Sequence, residues 1–578
     1  MDSGQQRWSS TKTQTEPRRV LLTVEVEDYF HVGRFDAFIS RDRWYRFEGR
    51  IEQNTRRALD LVESFGVRAT FFVLGWVAEN MPELVREIVT RGHEVASLGY
   101  DHRTILEMGP PEFRADVLRA REALERATGL RVLGHRVPHY LGPYDLWALD
   151  VLAEEGFAYD SSIKPLFWRF ASQPGRRLAH RHEAGELAIW EFPLSAWHWG
   201  LSIPIAGAGY FRHLPHPIVR RAVRRWLARH PEPFLMYFRV WELDPEQPHI
   251  QTAPLYERLR HYRNLDKMAG RLKDYFQEYE VRGIADHLGL LDEHGRLPAA
   301  MPAAVPASTL PVEVQASPTA SPGRVAGAPR TPVSVVVPCF NEEASLQYLA
   351  NTLRSVEVKL GGTYDLRFVF VDDASTDGTP ELLARLFGGR ANCTIIRHAQ
   401  NSGVAAAIMT GTRAAQTEIV CSMDADCTYD PHEIGRMIPM LVDGVDLVTA
   451  SPYHPQGAVR NVPGWRLLLS RGASFLYRRV LSQPLYTYTS CFRVFRRDAV
   501  AGIALQESGF LGVAEMLGRM ILEGRKIVEF PAVLEVRLLG HSKMKAMRGV
   551  AGHLKLLRRL LMLRLRGGVP LPGASDRA

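Results

Sequence analysis

Between about Pro298 and Pro332 the chain is written almost entirely in Pro, Ala, Ser, Thr and Val, and no other feature limits its fold as strongly. Repeated prolines fix the backbone and remove amide donors, so neither a helix nor a sheet core forms there, and a segment without a period reads as an extended linker. The 578 residues are too many for one core, and the break leaves two halves each large enough for a catalytic domain. The expected organisation is a disordered N-terminus at 1–17, a first domain at 18–294, the linker at 295–331, a second domain at 332–543 and a basic tail at 544–578. A hydrophobic content of 46% and a charged content of 24% exclude a disordered or fibrous chain. The net charge of +8 favours anionic partners such as phosphates or an acidic membrane surface, without the single-sign field that a nucleic-acid partner would ask for. All five cysteines lie between Cys339 and Cys491 with no C-x-x-C, which indicates neither a disulfide framework nor a zinc site but buried thiols in a reducing compartment. The polar N-terminus and the lack of an apolar run of spanning length predict a protein kept in the cytoplasm.

The chemistry of the second half centres on V-C-S-M-D-A-D-C-T-Y-D at 420–430. The apolar run from Glu418 to Met423 predicts a short strand that delivers Asp424 and Asp426 to its end, one residue apart and on the same side. Two anions that close repel unless a cation sits between them, and a hard divalent ion able to hold a diphosphate is the natural occupant. An isolated D-x-D is more often a polar loop after a strand, but this one closes a series. P-V-S-V-V-V-P-C-F-N-E-E at 332–343 predicts a buried strand ending at Pro338, with Asn341 and Glu342 opening a helix. A second strand, Phe368 to Val371, runs into D-D-A-S-T-D-G-T at 372–379, and N-S-G-V-A-A-A follows at 401–407. Acidic strand ends after alternating strands and helices describe an open parallel sheet with its ligand crevice at the carboxyl edge.

With T-S-C-F-R-V-F-R at 489–496 and R-L-L-G-H-S-K at 537–543, this set resembles the inverting, metal-dependent family 2 glycosyltransferases, most closely the branch of dolichol-phosphate mannosyltransferase and its bacterial polyprenyl-phosphate relatives. The resemblance spans about 332–545 and implies a nucleotide-sugar-binding sheet of the glycosyltransferase A type. It places Pro338, Asn341, Glu342, Asp372 and Asp373 around the donor nucleotide, with Asp373 on the base side. Asp424 and Asp426 would bind Mg2+ or Mn2+ bridging the donor diphosphate, and Arg466, Arg471, Arg493, Arg537 and Lys543 are candidates for phosphate contacts, each weighed against a solvated surface charge. Two departures bear on the donor sugar: D-A-D-C-T stands where the branch usually has D-A-D-L-Q, and T-Y-T-S-C-F where it has D-x-T-S-G-F or D-x-T-S-G-Y. A hydroxyl acceptor needs a general base, for which Glu515 is the candidate. A lipid phosphate is already ionised at neutral pH and needs none, in which case Glu515 positions an arginine. From Met544 to Arg566 basic residues interleave with leucines, the pattern of an amphipathic helix on an anionic membrane surface or, alternatively, of a helix packed on the transferase core.

In the first half, strands at Val20–Val26 and Ala69–Leu74 alternate with helices at Ile51–Phe65, Pro82–Thr90 and Pro111–Ala127, which argues for a parallel sheet or barrel with its chemistry at the strand ends. At the first such end stand Glu25, Glu27 and Asp28. R-G-H-E-V-A-S-L-G-Y-D-H-R at 91–103, G-H-R-V-P at 134–138 and M-Y-F-R-V-W-E-L-D-P-E-Q-P at 236–248 complete a resemblance to the polysaccharide deacetylase family with NodB homology, over about residues 18–290. That resemblance implies a deformed (β/α) barrel and a metal-bound water that removes acetyl groups from N-acetylated sugars. The metal would be held by an Asp and an H-x-x-x-H pair. Here the first His of the pair falls at Leu98 and the second at His102, while the late His that protonates the departing amine falls at Arg239. Asp28 and His102 make too few ligands for a catalytic metal, and a guanidinium is no general acid. The expectation is a fold retained without hydrolysis, in which Glu25, Glu27, Asp28 and Arg136 form a residual charge network and Trp190, Trp197, Trp199 and Trp241 offer faces to a sugar. The alternative is a bifunctional transferase and deacetylase using an altered metal site. The chain is thus expected to be a cytoplasmic α/β protein, peripheral at the inner membrane face, that moves a sugar from a nucleotide-sugar to a lipid phosphate or glycan.

Overall fold

The computed structural model describes residues 19–166, 170, 172–199, 201–207, 209–292, 296–299, 330–462, 464–540 and 546–566. The expected disordered N-terminus, nearly all of the expected linker and Lys543 lie outside them. The chain divides into two compact units, one of Met1–Ala37, Gly49–Gln247 and Leu255–Thr309, the other of Phe38–Glu48, Pro248–Pro254 and Leu310–Ala578.

The first unit is built on strands β1 (Arg19–Val26), β2 (Thr70–Val73), β3 (Glu94–Ser97), β4 (Gly134–His135), β5 (Tyr159–Asp160), β6 (His180–Ala184), β7 (Leu187–Glu191), β8 (Ala196–Trp199), β9 (Leu201–Pro204), β10 (Phe234–Arg239) and β11 (Glu280–Arg282). Nine of them form one sheet in the order β10-β1-β2-β3-β4-β5-β7-β6, with β11 also paired to β1, while β8 and β9 make a separate hairpin. All neighbours in the large sheet are parallel except β6 and β7. Among the described residues β10 and β6 do not pair, so the sheet curls without closing. The run V-L-L-T-V is buried because helices cover one face of β1 and the interior fills the other. Helices Ile51–Glu63, Pro82–Thr90 and Pro110–Thr128 supply the covering layer. The last of these stops at Gly129, whose φ of 71° provides the left-handed cap that ends a helix.

The second unit is an open sheet of seven strands: β12 (Thr331–Cys339), β13 (Tyr364–Asp372), β14 (Cys393–Arg397), β15 (Ile419–Ser422), β16 (Leu447–Ser451), β18 (Arg493–Arg496) and β19 (Ile527–Pro531), with β17 (Ala458–Arg460) and β20 (Val533–Glu535) forming a small ribbon. Its order is β14-β13-β12-β15-β18-β16-β19, and β18 alone runs antiparallel, between β15 and β16. One core lies under helix Glu343–Leu360. The other lies under helices Val404–Ala414 and Phe510–Leu522.

That second core also takes in the tail helix Ala546–Arg566. Leu556, Leu557 and Leu560 are buried, and Gly518 lies against Leu560 so closely that a Cβ there would come within 2.7 Å of its side chain. Each leucine contributes roughly 1.5–3 kcal/mol of burial. Arg559 turns inward to Glu507 and Glu515, and Arg564 to the Val480 carbonyl. The alternative reading of the tail, a helix packed on the transferase core, describes this face of it. One face belongs to the core, and what remains outward is Leu554, Lys555, Arg558, Met562, Leu563, Leu565 and Arg566. No helix among the described residues is long and apolar enough to cross a membrane.

Candidate active site

The carboxyl ends of β12 and β15 open on a cleft of about 510 Å3 in the second unit. Pro338, Glu342, Asp373, Asp424, Asp426 and Arg537 are among its lining residues, as are Tyr453, Leu467, Phe510 and Leu534. β15 ends at Ser422, two residues before Asp424, and Cys427 adopts a left-handed φ of 52° that turns the chain sharply after Asp426. Burial, then the charge of Asp426, pushes the Asp424 carboxyl up to about 7. Burial likewise raises Asp426, although the Arg537 guanidinium opposes it. Arg537 reaches Asp426 Oδ2 through Nε at 2.9 Å and also contacts Glu342. Two half-buried carboxylates that resist ionising together are a donor set suited to a hard divalent ion. Among the described residues no third His, Cys, Asp or Glu joins them in a metal-binding cluster, and an ion that also takes substrate phosphates needs none. Thr428 donates its amide to Asp426 Oδ1 at 3.1 Å, which braces the loop.

The other expected donor residues divide. Asn341, at φ 52°, accepts from the Thr376 amide and gives its own amide to Ser375, so it ties two loops together. Asp372 accepts from the Ser375 amide and pairs with Arg397 at 3.1 Å. Asp373 lines the cleft, but its carboxylate already accepts from the amides of Ser402 and Gly403, both at 2.7 Å, and contacts His398 Nδ1 at 2.7 Å. Gly403 has φ 90°, and a Cβ there would stand 2.6 Å from the Ser508 carbonyl, so only glycine lets this loop close. Arg471 is exposed with its guanidinium over the Tyr453 ring at 5.2 Å. The side chain of Arg466 lies outside what is described.

Two expectations are corrected. Arg493 is 1% exposed and spends its guanidinium on the carbonyls of Val513 and Tyr488, so no phosphate can reach it. Glu515 is fully buried, accepts from the amides of Gln506 and Glu507, and pairs with Arg519 at 2.8 Å and Arg559 at 3.2 Å. It does not line the cleft. The role that fits it is the second one considered, holding arginines and the loop before helix Phe510–Leu522.

In the first unit Glu25 and Glu27 share one side of β1, and Arg239, the partner of Glu25 across β10, meets them at 2.8 and 2.7 Å. Arg136 adds a contact of 3.2 Å to Glu25. His102 Nε2 stands 2.9 Å from Glu27, and the Trp241 indole donates to Glu27 at 3.1 Å. Burial acts to raise Glu27, but Arg239 and His102 outweigh it and hold the carboxyl at about 2. Asp28, expected beside His102, instead accepts from the amides of Tyr29, Arg50 and Ile51 at the start of helix Ile51–Glu63. Burial still pushes it up to about 7. The carboxylate facing His102 is thus Glu27, and that pairing replaces the expected one. Leu98 is buried among apolar side chains and offers no lone pair. Trp241 is buried and stacked on His261 at 4.1 Å, Trp197 is partly buried, Trp190 is exposed, and the Trp199 side chain lies outside what is described.

Residues 334–503 match glycosyl transferase family 2, residues 36–159 match polysaccharide deacetylase, and residues 161–288 match a domain of unknown function, DUF3473. A polyprenol monophosphomannose synthase of Mycolicibacterium smegmatis is 30% identical over 218 residues, which is 36% of this chain and 80% of that protein. A dolichol-phosphate mannosyltransferase of Pyrococcus furiosus is 30% identical over 217 residues, and the chain spans only 59% of its length. Among solved structures, glucosyl-3-phosphoglycerate synthase of Mycobacterium tuberculosis with Mn2+ and uridine diphosphate aligns over 42% of this chain and 82% of its own, at 19% identity and a TM-score of 0.31. The sheet and its acidic carboxyl edge define a sugar-transferase class of α/β protein. Through its second unit the chain belongs to glycosyl transferase family 2.

Proposed function

We propose that the second unit transfers a sugar, with inversion, from a nucleotide-sugar to a polyprenyl phosphate or glycan, and that the first unit binds glycan without hydrolysing it. The observation that carries the first part is the half-buried pair Asp424 and Asp426 at the strand edge, with Arg537 lying across Asp426 and Glu342. Asp424 and Asp426 would hold Mg2+ or Mn2+, whose positive charge stabilises the departing nucleoside diphosphate. Arg537 already supplies one fixed positive charge at that edge, and Pro338 and Asp373 shape the wall where the nucleotide would lie. Phe510, Leu467 and Leu534 give the cleft apolar lining of the kind that a lipid-linked acceptor asks for. With Glu515 committed to Arg519 and Arg559, the acceptor that fits is one already ionised, a lipid phosphate, over a hydroxyl that needs a base. The outward basic and apolar residues of the tail helix support peripheral contact with an anionic membrane at its cytoplasmic face.

The first unit's geometry speaks against hydrolysis. Arg239 sits on Glu25 and Glu27, the latter facing His102, Asp28 is turned to a helix start, and Leu98 occupies the first imidazole position of the pair. The experiment is transfer from a panel of nucleotide-sugars to polyprenyl phosphates with added Mn2+. Asp424→Ala or Asp426→Ala should abolish turnover with an unchanged melting profile, and full activity in either variant would defeat the proposal.

A further inference from the structure

The first unit holds a cation that no acceptor among its described residues satisfies. Lys164 is 6% exposed, yet among the described residues its ammonium makes no hydrogen bond or ion pair. It stands only over aromatic faces, 4.0 Å from the centre of the Tyr140 ring and 5.5 Å from that of Tyr210. The Tyr140 hydroxyl lies 3.1 Å from that of Tyr237, and the guanidinium carbon of Arg239 is 5.6 Å from the Tyr237 ring. Lys164 and Arg239 therefore flank one pair of phenols. Burial acts to raise the Tyr140 hydroxyl, but the Lys164 and Arg239 charges pull it below the usual phenol range. Arg239 is 12% exposed, and Tyr140 and Tyr210 are half-buried, so the group reaches solvent rather than lying in a sealed core.

The charges do not balance. Glu25 and Glu27 bring two carboxylates, while Arg136, Arg239 and Lys164 bring three cations. A cation at 6% exposure with no carboxylate partner among the described residues is costly to hold, and this one stands beside aromatic rings of the kind that face a sugar. We infer that Lys164, with Tyr140, Tyr210 and Arg239, forms a site for the carboxylate of an acidic sugar, such as a uronic acid residue in a glycan. One negative charge completes the cluster, whereas a phosphate monoester carries about −1.5 to −2 at neutral pH and exceeds it. The inference rests on the reading of the first unit as a glycan-binding module and gives that module a ligand class.

The test is calorimetric titration of the full chain with oligogalacturonate, with the same oligomer as its methyl ester, with N-acetylglucosamine oligomers and with inorganic phosphate. A charge-assisted contact of this kind predicts that the acid binds about ten- to a hundredfold tighter than its ester. Lys164→Met should remove that difference while ester affinity and thermal melting stay unchanged, and Lys164→Arg should restore most of it. If Lys164→Met melts early, the Lys164→Arg variant and the acid-to-ester ratio of the natural chain decide the matter. Equal binding of acid and ester, or undiminished acid binding by well-folded Lys164→Met, would overturn the carboxylate site and leave the glycan-binding module standing. Phosphate binding as tight as the acid, lost on Lys164→Met, would also overturn it by reassigning the site to phosphate. Failure of every sugar to bind would overturn the module as well.

Discussion

Replacing Glu515 by Gln separates a catalytic base from a buried fastener. The carboxylate is fully buried and accepts from three donors, the amides of Gln506 and Glu507 at 3.0 and 2.8 Å and Arg519 at 2.8 Å, and Arg559 adds an ion-pair contact at 3.2 Å. A glutamine carbonyl has two lone pairs, so one of those three donors loses its acceptor, at about 1–3 kcal/mol, and Arg559 loses its charge partner. Breaking a buried ion pair from one side costs about 3–5 kcal/mol. The arginines are about one-fifth exposed and recover part of that in water, which sets the expected loss near 3 kcal/mol. With a urea dependence of about 3 kcal/mol per M for a unit of this size, the unfolding midpoint of the second unit should fall by about 1 M. Under native conditions, kcat at saturating donor and polyprenyl phosphate should stay within a fewfold of the natural chain. A general base would show the opposite pattern, a fall in kcat of about 100- to 10,000-fold with the midpoint unmoved. That outcome would refute both the fastening role and the preference for an ionised acceptor.

The tail helix should behave as core: Leu560→Ala is expected to destabilise the second unit by about 2–5 kcal/mol, whereas exposed Leu565→Ala should stay within about 0.5 kcal/mol in the same denaturation assay. Reversing the outward charges Lys555, Arg558 and Arg566 to Glu should reduce sedimentation with anionic liposomes, and salt should do the same to the natural chain, since exposed charges are screened; unchanged sedimentation in both cases would remove the membrane contact. No acetate should be released from N-acetylglucosamine oligomers with added Zn2+, Co2+ or Ni2+, and release that disappears on Glu27→Gln would establish a working deacetylase. Asp28 sets a pH dependence. Burial holds it at about 7 against an unfolded value of about 3.9, so between those values the folded chain keeps a proton that the unfolded chain has lost. Its contribution is full below about pH 4 and is lost at about 1.4 kcal/mol per pH unit up to about 7. The natural chain's stability relative to Asp28→Asn should therefore shrink from pH 5 to pH 7, and a constant difference would show that Asp28 does not titrate there.

The parts of this molecule that repeat locally were legible in its sequence. Helix Pro82–Thr90 lies where its first-turn proline and apolar spacing put it, and Asp424 and Asp426 stand just beyond a short apolar strand. What stayed hidden was the direction in which single charged side chains point. Arg493 follows T-S-C-F near the cleft in sequence, yet it turns into the core, because β18 is covered on both faces and its register faces the guanidinium toward helix Phe510–Leu522. Glu27 rather than Asp28 meets His102 because residues two apart share a side of a strand, and that alternation, which sets Glu25 with Glu27, was already present in E-V-E-D. Lys164 carried no signal at all. Its position over two tyrosines depends on strands and loops brought together from distant parts of the chain.

The antiparallel strand β18 has a consequence for the order of events during synthesis. It lies between β15 and β16, pairs Ser422 with Arg493, and receives a 2.6 Å hydrogen bond from the Ser422 hydroxyl to the Cys491 carbonyl. The strand that carries the paired aspartates is thus flanked on one edge by a segment translated well after it. Phe510, Leu534 and Arg537, which complete the cleft, come later still. A ribosome-bound chain that has emerged only as far as Tyr453 contains every acidic motif and no finished pocket. The cleft cannot be completed until nearly the whole second unit has left the ribosome.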